Sequence, residues 1–195
     1  MIGATGTRDP SVQPVPNSGG DQAFLRGRVT RDRATGVADQ LRGFVDVIFL
    51  GALQLDAHGR CNLAVVGDYT RPRLRGPGSI GLSMVASVKL TIMFFERHDA
   101  RVLVPQVDFV SGMTVGDGRE LLVVTPLGVL GAAPATDKVV LQSLHPGVSF
   151  ADIAIRAGFA LEQRFAVETP PPSTVELAAL RRLADGQQRA SLVTG

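Results

Sequence analysis

The segment Val45-Asp46-Val47-Ile48-Phe49-Leu50 is almost wholly apolar and rich in β-branched residues. A run of this kind has no wet face, so it predicts a strand covered on both sides in a parallel sheet. Four further runs, over 63–66, 88–95, 101–104 and 121–124, have the same look. Helical spacing appears between them. From Thr30 to Arg42, Ala34, Val37, Ala38 and Leu41 fall on one helical face, and Gly43 follows as a stop. Ser149 with Asp152 three positions on forms a capping box for a helix over 149–157, closed by Gly158. Ser173 or Thr174 caps another through Leu177, Leu180 and Leu183 to Gly186, approached by the stiff Pro170-Pro171-Pro172. Helices alternating with buried strands predict an α/β fold, an open and mostly parallel sheet flanked by helices. The 195 residues suit a single domain.

Several function classes drop away on composition. No run of about 18 uncharged apolar residues is present, so the reading includes no membrane. Cys61 is the only cysteine, which excludes an internal disulfide, fits a reducing cytoplasm and, with three histidines, predicts no metal site. The net charge is only +2 and aromatic residues make up 5% with no tryptophan, a poor basis for stacking nucleic acid.

In open α/β sheets, ligands sit beyond the carboxyl ends of the strands. The loops of interest therefore follow Leu50, Val66 and Phe95. The second of these reads Gly67-Asp68-Tyr69-Thr70-Arg71-Pro72-Arg73-Leu74-Arg75-Gly76-Pro77-Gly78-Ser79-Ile80-Gly81. Arg71, Arg73 and Arg75 alternate ahead of three glycines. Glycines allow a ligand to approach backbone N–H groups that hold an anion or a developing oxyanion. The same pattern also describes a solvated surface loop. Asp56 and His58 read as parts of a turn ending at Gly59, and His145-Pro146-Gly147 as a turn into a helix. His98, between Arg97 and Asp99, reads as an exposed strand end. Asp108 lies between apolar neighbours and needs a hydrogen-bond partner. No G-x-S-x-G, phosphate-binding loop, H-E-x-x-H or CxxC is present, and no G-x-G-x-x-G follows the first strand.

Segments from about residue 44 to 183 resemble, in order and spacing, the B (β) subunit of family I coenzyme A transferases of the glutaconate CoA-transferase type. Residues 45–59 look like the family's "DVGFLGGAQID..GN" block, and Asn62 fits its asparagine. Val66-Gly67-Asp68-Tyr69 is similar to "IGDY", and Pro77-Gly78-Ser79 to the opening of "PGSGGA". Residues 107–112 resemble "VDFVTSPG", residues 125–130 "T-x-LGV", residues 144–149 "LHPGVT", and residues 168–173 a common tail.

The resemblance implies an A (α) subunit as partner, acyl-CoA as substrate, and no tightly bound cofactor, coenzyme A itself being a co-substrate. It implies covalent catalysis in which a glutamate attacks the thioester and a glutamyl-CoA thioester passes CoA to a second carboxylate. Gly3, Gly78, Ser79 and Gly81 are the implied oxyanion or substrate-binding positions, and Arg71, Arg73 and Arg75 candidate CoA contacts. Met1-Ile2-Gly3-Ala4 looks like the continuation of the family's nucleophile segment, so the glutamate is expected immediately before Met1, and the chain is expected to be truncated at its N-terminus. Ile80 and Leu82 stand where the family places a glycine and an alanine. That departure keeps two alternatives open: a CoA-ester hydrolase of the kind acting in steroid ring breakdown, and a catalytically silent partner subunit.

Overall fold

The computed structural model describes residues 7–8, 30–31, 45–79, 82–132 and 138–182. They fall into two units, one drawn from Met1–Gln40 and Pro170–Gly195, the other spanning Leu41–Thr169. In the first, β1 (Thr7–Arg8) pairs antiparallel with β2 (Thr30–Arg31). The start of the helix expected from Thr30 is thus extended, and its remainder lies outside the described residues. A helix over 174–182, here α3, is capped by Ser173, whose hydroxyl accepts from the Glu176 N–H at 3.2 Å while the Glu176 carboxylate returns to the Ser173 N–H at 2.7 Å. The expected end of this helix at Gly186 lies outside the described residues.

The second unit is built on a mixed six-stranded sheet. Its strands are β3 (Val47–Gly51), β8 (Leu90–Phe94), β10 (Glu120–Val124), β11 (Gly128–Ala132), β12 (Val140–Leu144) and β13 (Gln163–Glu168). They lie in the order β13-β12-β11-β10-β8-β3. The contacts β3–β8, β8–β10 and β12–β13 are parallel, while β10–β11 and β11–β12 are antiparallel. The mostly parallel α/β expectation holds, with a two-step antiparallel insert. Between β3 and β8 the chain makes two small antiparallel elements. One contains β4 (Gln54–Leu55), β5 (Arg60–Asn62) and later β9 (Gly112–Met113). The other is the hairpin of β6 (Val65–Gly67) and β7 (Pro72–Arg75), called the arm below, after which comes the short helix α1 (Leu82–Val85).

The core lies on one face of the large sheet. Met93, Leu121, Val123, Leu130 and Leu141 from that face meet Leu55 and Cys61 from the small sheet, Leu103 from a turn and Ile153 from α2 (Phe150–Ala154), all at 1% exposure or less. The opposite face stays open among the described residues: Phe49 is 69% exposed, Phe94 52% and Val167 64%. This corrects the reading of residues 45–50 as a strand covered on both sides. As the last strand in the sheet, β3 alternates between exposed and half-buried positions, and only its Ile48 and Leu50 face the core. Two other expected strands also resolve differently. Residues 63–66 split around a turn made by Asn62, and residues 101–104 form a turn with a single bridge, Leu55 to Leu103. The capping box of Ser149 and Asp152 is present as expected. The helix stops at Ile155 rather than at Gly158, because Gly158 is drawn against the turn at Leu103, its N–H donating to the Leu103 carbonyl at 2.7 Å.

Candidate functional site

The parallel strands β3 and β8 end side by side, Gly51 opposite Phe94. Beyond their carboxyl ends opens a crevice of about 750 Å³. Leu50, Ala52 and Leu53 form one wall, Phe94 and Phe95 another, and Leu74 and Pro77 of the arm and its following loop close the third side. Its volume falls in the range of small-molecule sites, and its place is where open α/β sheets hold ligands. Two charged residues, Glu96 and Arg97, line it.

What positions the arm is a buried polar network that begins in the small sheet. Asn62, fully buried, donates from Nδ2 to Gln54 Oε1 at 2.7 Å and to the Val65 carbonyl at 2.5 Å. Its Oδ1 accepts the N–H groups of Ala64 and Val65 at 3.0 and 3.1 Å. Gln54 Oε1 also takes the Asp108 N–H at 3.0 Å, and Gln54 Nε2 donates to Asp108 Oδ2 at 3.2 Å. That same oxygen receives the Gly67 N–H at 2.7 Å. Asp108 thus clamps the first strand of the arm by its backbone, the structural role its apolar neighbours implied.

The loop after the arm is held by backbone bonds: Gly76 donates to the Ala64 carbonyl at 2.9 Å and Gly78 to the Leu63 carbonyl at 3.1 Å. Gly78 has φ +89°, a conformation that a residue without Cβ adopts freely, and space is open where a side chain would stand. Its N–H is committed to Leu63 in this conformation. Ser79 is exposed, and its carbonyl starts α1 by accepting from Leu82 at 3.0 Å. Gly3 and Gly81 lie outside the described residues.

The three arginines differ in what they do. Arg75 lies over the Tyr69 ring at 4.9 Å and donates to the Tyr69 carbonyl at 3.0 Å. Tyr69 in turn stacks on Phe109 with centroids 5.4 Å apart. Arg73 stands 3.9 Å from Asp108 Oδ2. The side chain of Arg71 is exposed, while its N–H helps to hold Asp68 at the arm's tip. There the Thr70 hydroxyl, with the N–H groups of Thr70 and Arg71, keeps the Asp68 carboxyl below its ordinary range.

Asp56 and His58 belong to a turn, as read. The buried Asp56 carboxylate accepts the N–H groups of His58 and Arg60 and pairs with Arg60 Nε at 2.6 Å. Cys61 is no nucleophile: burial pushes its thiol up to about 11, so it stays protonated near neutrality. Among the described residues no three His, Cys, Asp or Glu side chains gather into a metal site, and no helix is long and apolar enough to cross a membrane.

His98 corrects the sequence reading. It is 6% exposed and bridges elements, with Nε2 facing the Ile153 carbonyl at 3.1 Å and Nδ1 facing the Thr125 hydroxyl at 2.9 Å. A carbonyl only accepts, so Nε2 carries a proton toward Ile153, while the Thr125 hydroxyl beside Nδ1 also stands 2.9 Å from the Gly128 carbonyl. His145 approaches the same strand end, Nε2 to the Thr125 carbonyl at 3.0 Å and Nδ1 to Thr169 Oγ1 at 3.0 Å. Burial, helped by Arg156, lowers the His98 pKa below 6.5, against the opposing pull of the Ile153 carbonyl and Asp99. The unfolded chain therefore takes up a proton on His98 more readily than the folded one. Its contribution to stability is complete above about pH 6.5 and is lost as the pH falls from there through the lower folded value. The urea midpoint is expected to decline as pH drops from about 6.5 to 5, and His98→Gln to flatten that decline. An unchanged slope in the variant overturns this assignment.

The arm, the clamped loop and the crevice put the chain where comparison decides. The model of the family described as "Coenzyme A transferase" matches residues 37–156. The chain belongs to this family. It is 32% identical over 167 residues to the B subunit of 3-oxoadipate CoA-transferase from Pseudomonas knackmussii, a match covering 75% of this chain and 64% of that protein. It therefore spans just under two thirds of that relative. Among solved structures, the decarboxylase AibA/AibB superposes with a TM-score of 0.79 at 30% identity, covering 92% of this chain and 74% of that one. Glutaconate coenzyme A-transferase of Acidaminococcus fermentans superposes with a TM-score of 0.76 at 28% identity, covering 92% and 76%.

For a member of this family, the site residues that sequence reasoning missed are Glu96, Arg97 and the apolar walls. The loop after Phe95 was marked by its place at a strand end. The walls carry no local signal, since they come from five separate segments.

Proposed function

We propose that the chain is the B subunit of a coenzyme A transferase working with an A subunit in the cytoplasm. The carrying observation is the crevice at the carboxyl ends of β3 and β8, closed by the clamped arm, in a chain of this family. Relatives named as the B subunits of 3-oxoadipate and glutaconate CoA-transferases support both the activity and the partner.

In this reading acyl-CoA is the substrate and no further cofactor takes part. A carboxylate attacks the thioester carbonyl, a C–O bond forms as the C–S bond breaks, and CoA leaves as thiolate, which leaves a mixed anhydride on the enzyme. The thiolate then attacks the enzyme's carbonyl, releasing the first acid as carboxylate and leaving an enzyme-CoA thioester. An incoming carboxylate reverses both steps. The attacking group is the glutamate that the resemblance puts ahead of Met1. Gly3, Ser79 and Gly81 supply backbone N–H groups toward the oxyanion, with Gly78 shaping the loop, and Arg71, Arg73 and Arg75 lie toward the phosphates of CoA.

The gene product read with its upstream frame, co-purified with an A subunit, is expected to form an adduct when given acyl-CoA and then borohydride. The thioester is reduced to an alcohol and the mass falls at one glutamate. Release of free acid without an acceptor points instead to a hydrolase, release of carbon dioxide to a decarboxylase, and no reaction to a silent subunit. Any of these three without the adduct overturns the transferase reading.

A further inference from the structure

Among the described residues, Glu96 and Arg97 are the only charged ones lining the crevice, and they stand on one rim of it. Arg97 contributes little to the nearby ion pairs. Asp99 is already held by Arg101 through Nε at 3.1 Å and Nη2 at 2.7 Å, whereas Arg97 Nε stays 3.9 Å away. The Arg97 side chain remains 52% exposed. A guanidinium has five donors, so most of its capacity to bind an anion is unspent. The wall beside it consists of Leu50, Ala52, Leu53, Phe95 and Val102, and none of these described residues offers a second cation. A hydrocarbon chain lying along that wall gains by leaving water, while a second carboxylate there loses its hydration without a partner.

We infer that the crevice is a subsite for a monocarboxylic acid with a hydrocarbon tail, its carboxylate paired with Arg97 and its tail along the apolar wall. This rests on the transferase reading and gives it a substrate class. It sets the chain apart from relatives named for 3-oxoadipate and glutaconate, which carry two carboxylates. Glu96, on the same rim, repels the bound anion and limits its affinity.

Saturation-transfer NMR of the 195-residue chain with butyrate, hexanoate, octanoate and suberate tests the assignment. Affinity is expected to rise from butyrate to octanoate by up to about fourfold per methylene. Suberate, an eight-carbon diacid, binds more weakly than octanoate. Arg97→Gln weakens octanoate by about tenfold or more and leaves octan-1-ol unchanged, while Glu96→Gln strengthens octanoate. Both side chains are exposed, and an unaltered circular dichroism spectrum shows that the fold is kept. Suberate binding as tightly as octanoate, no dependence on chain length, no binding at all, or indifference to Arg97→Gln each overturns the inference. If the octanoate pattern appears but the borohydride adduct does not, the subsite stands and the transferase reading falls. The adduct without the pattern has the opposite meaning.

Discussion

Asn62→Ala is expected to lower the unfolding free energy by about 3–4 kcal/mol, among the largest effects of any single substitution in the sheet unit. The side chain has no exposure and makes four hydrogen bonds, two given and two received. Alanine takes away the partner of the buried Val65 N–H and of the Val65 carbonyl, while Gln54 Oε1 keeps the Asp108 N–H, and a buried group left unpaired costs about 1–3 kcal/mol. In a chain of this size the loss reads as a fall of roughly 10 °C in Tm. Removing Gln54 as well is expected to cost less than the sum of the two single changes, because the two amides share one hydrogen bond. A fall in Tm within about 2 °C of zero, or strict additivity, overturns the role given to this network.

Gly76→Ala is expected to act on function more than on stability. A Cβ at this position meets the Leu63 carbonyl oxygen at 2.2 Å and Leu53 Cδ1 at 2.8 Å. The oxygen belongs to backbone and has no rotamer to escape into, so the loop over 76–79 has to lift. Lifting breaks the Gly76 and Gly78 bonds to Ala64 and Leu63 and moves Pro77 off the crevice. Misplacement by about 1 Å costs on the order of a hundredfold in turnover, and that is the expected fall in kcat/KM for acyl-CoA with the A subunit present. Stability falls by a smaller amount, because the loop lies at the surface and the core beneath it is unchanged. Turnover within threefold of the parent shows that the close approach of Gly76 does not set the loop.

The sequence makes some of this architecture plain and hides the rest for physical reasons. Residues 88–95 and 121–124 announce the central parallel strands because they are mostly apolar and rich in strand-forming residues, and the Ser149–Asp152 box marks α2 by local chemistry alone. Strands β11 and β12 carry the opposite signals. Gly128 and Gly131 have low strand preference, yet neighbouring carbonyls pass 2.4 Å from where a Cβ would stand, so close packing overrides propensity. Gln142 and Ser143 interrupt the apolar pattern of β12. His98 sits between two charged residues and reads as wet, but its own ring turns inward to join a strand end to a helix. At the site, Asp108 is legible as a polar residue in need of a partner and Asn62 only through the family resemblance, while their partners, 54 and 8 positions away, are not legible.

The arm is fastened by atoms that every residue possesses. Its hydrogen-bonded clamps reach the N–H of Gly67 and, through the loop, the N–H groups of Gly76 and Gly78, while the side chains over 68–75 add the exposed contacts of Tyr69 with Phe109 and of Arg73 with Asp108. A mount of that kind behaves as a socket: the fingers it presents to a ligand are exchangeable while the fitting stays put. Among descendants of this chain, selectivity is free to drift by swapping tip residues, with Gln54, Asn62, Gly76 and Asp108 left in place as the durable signature of the fitting.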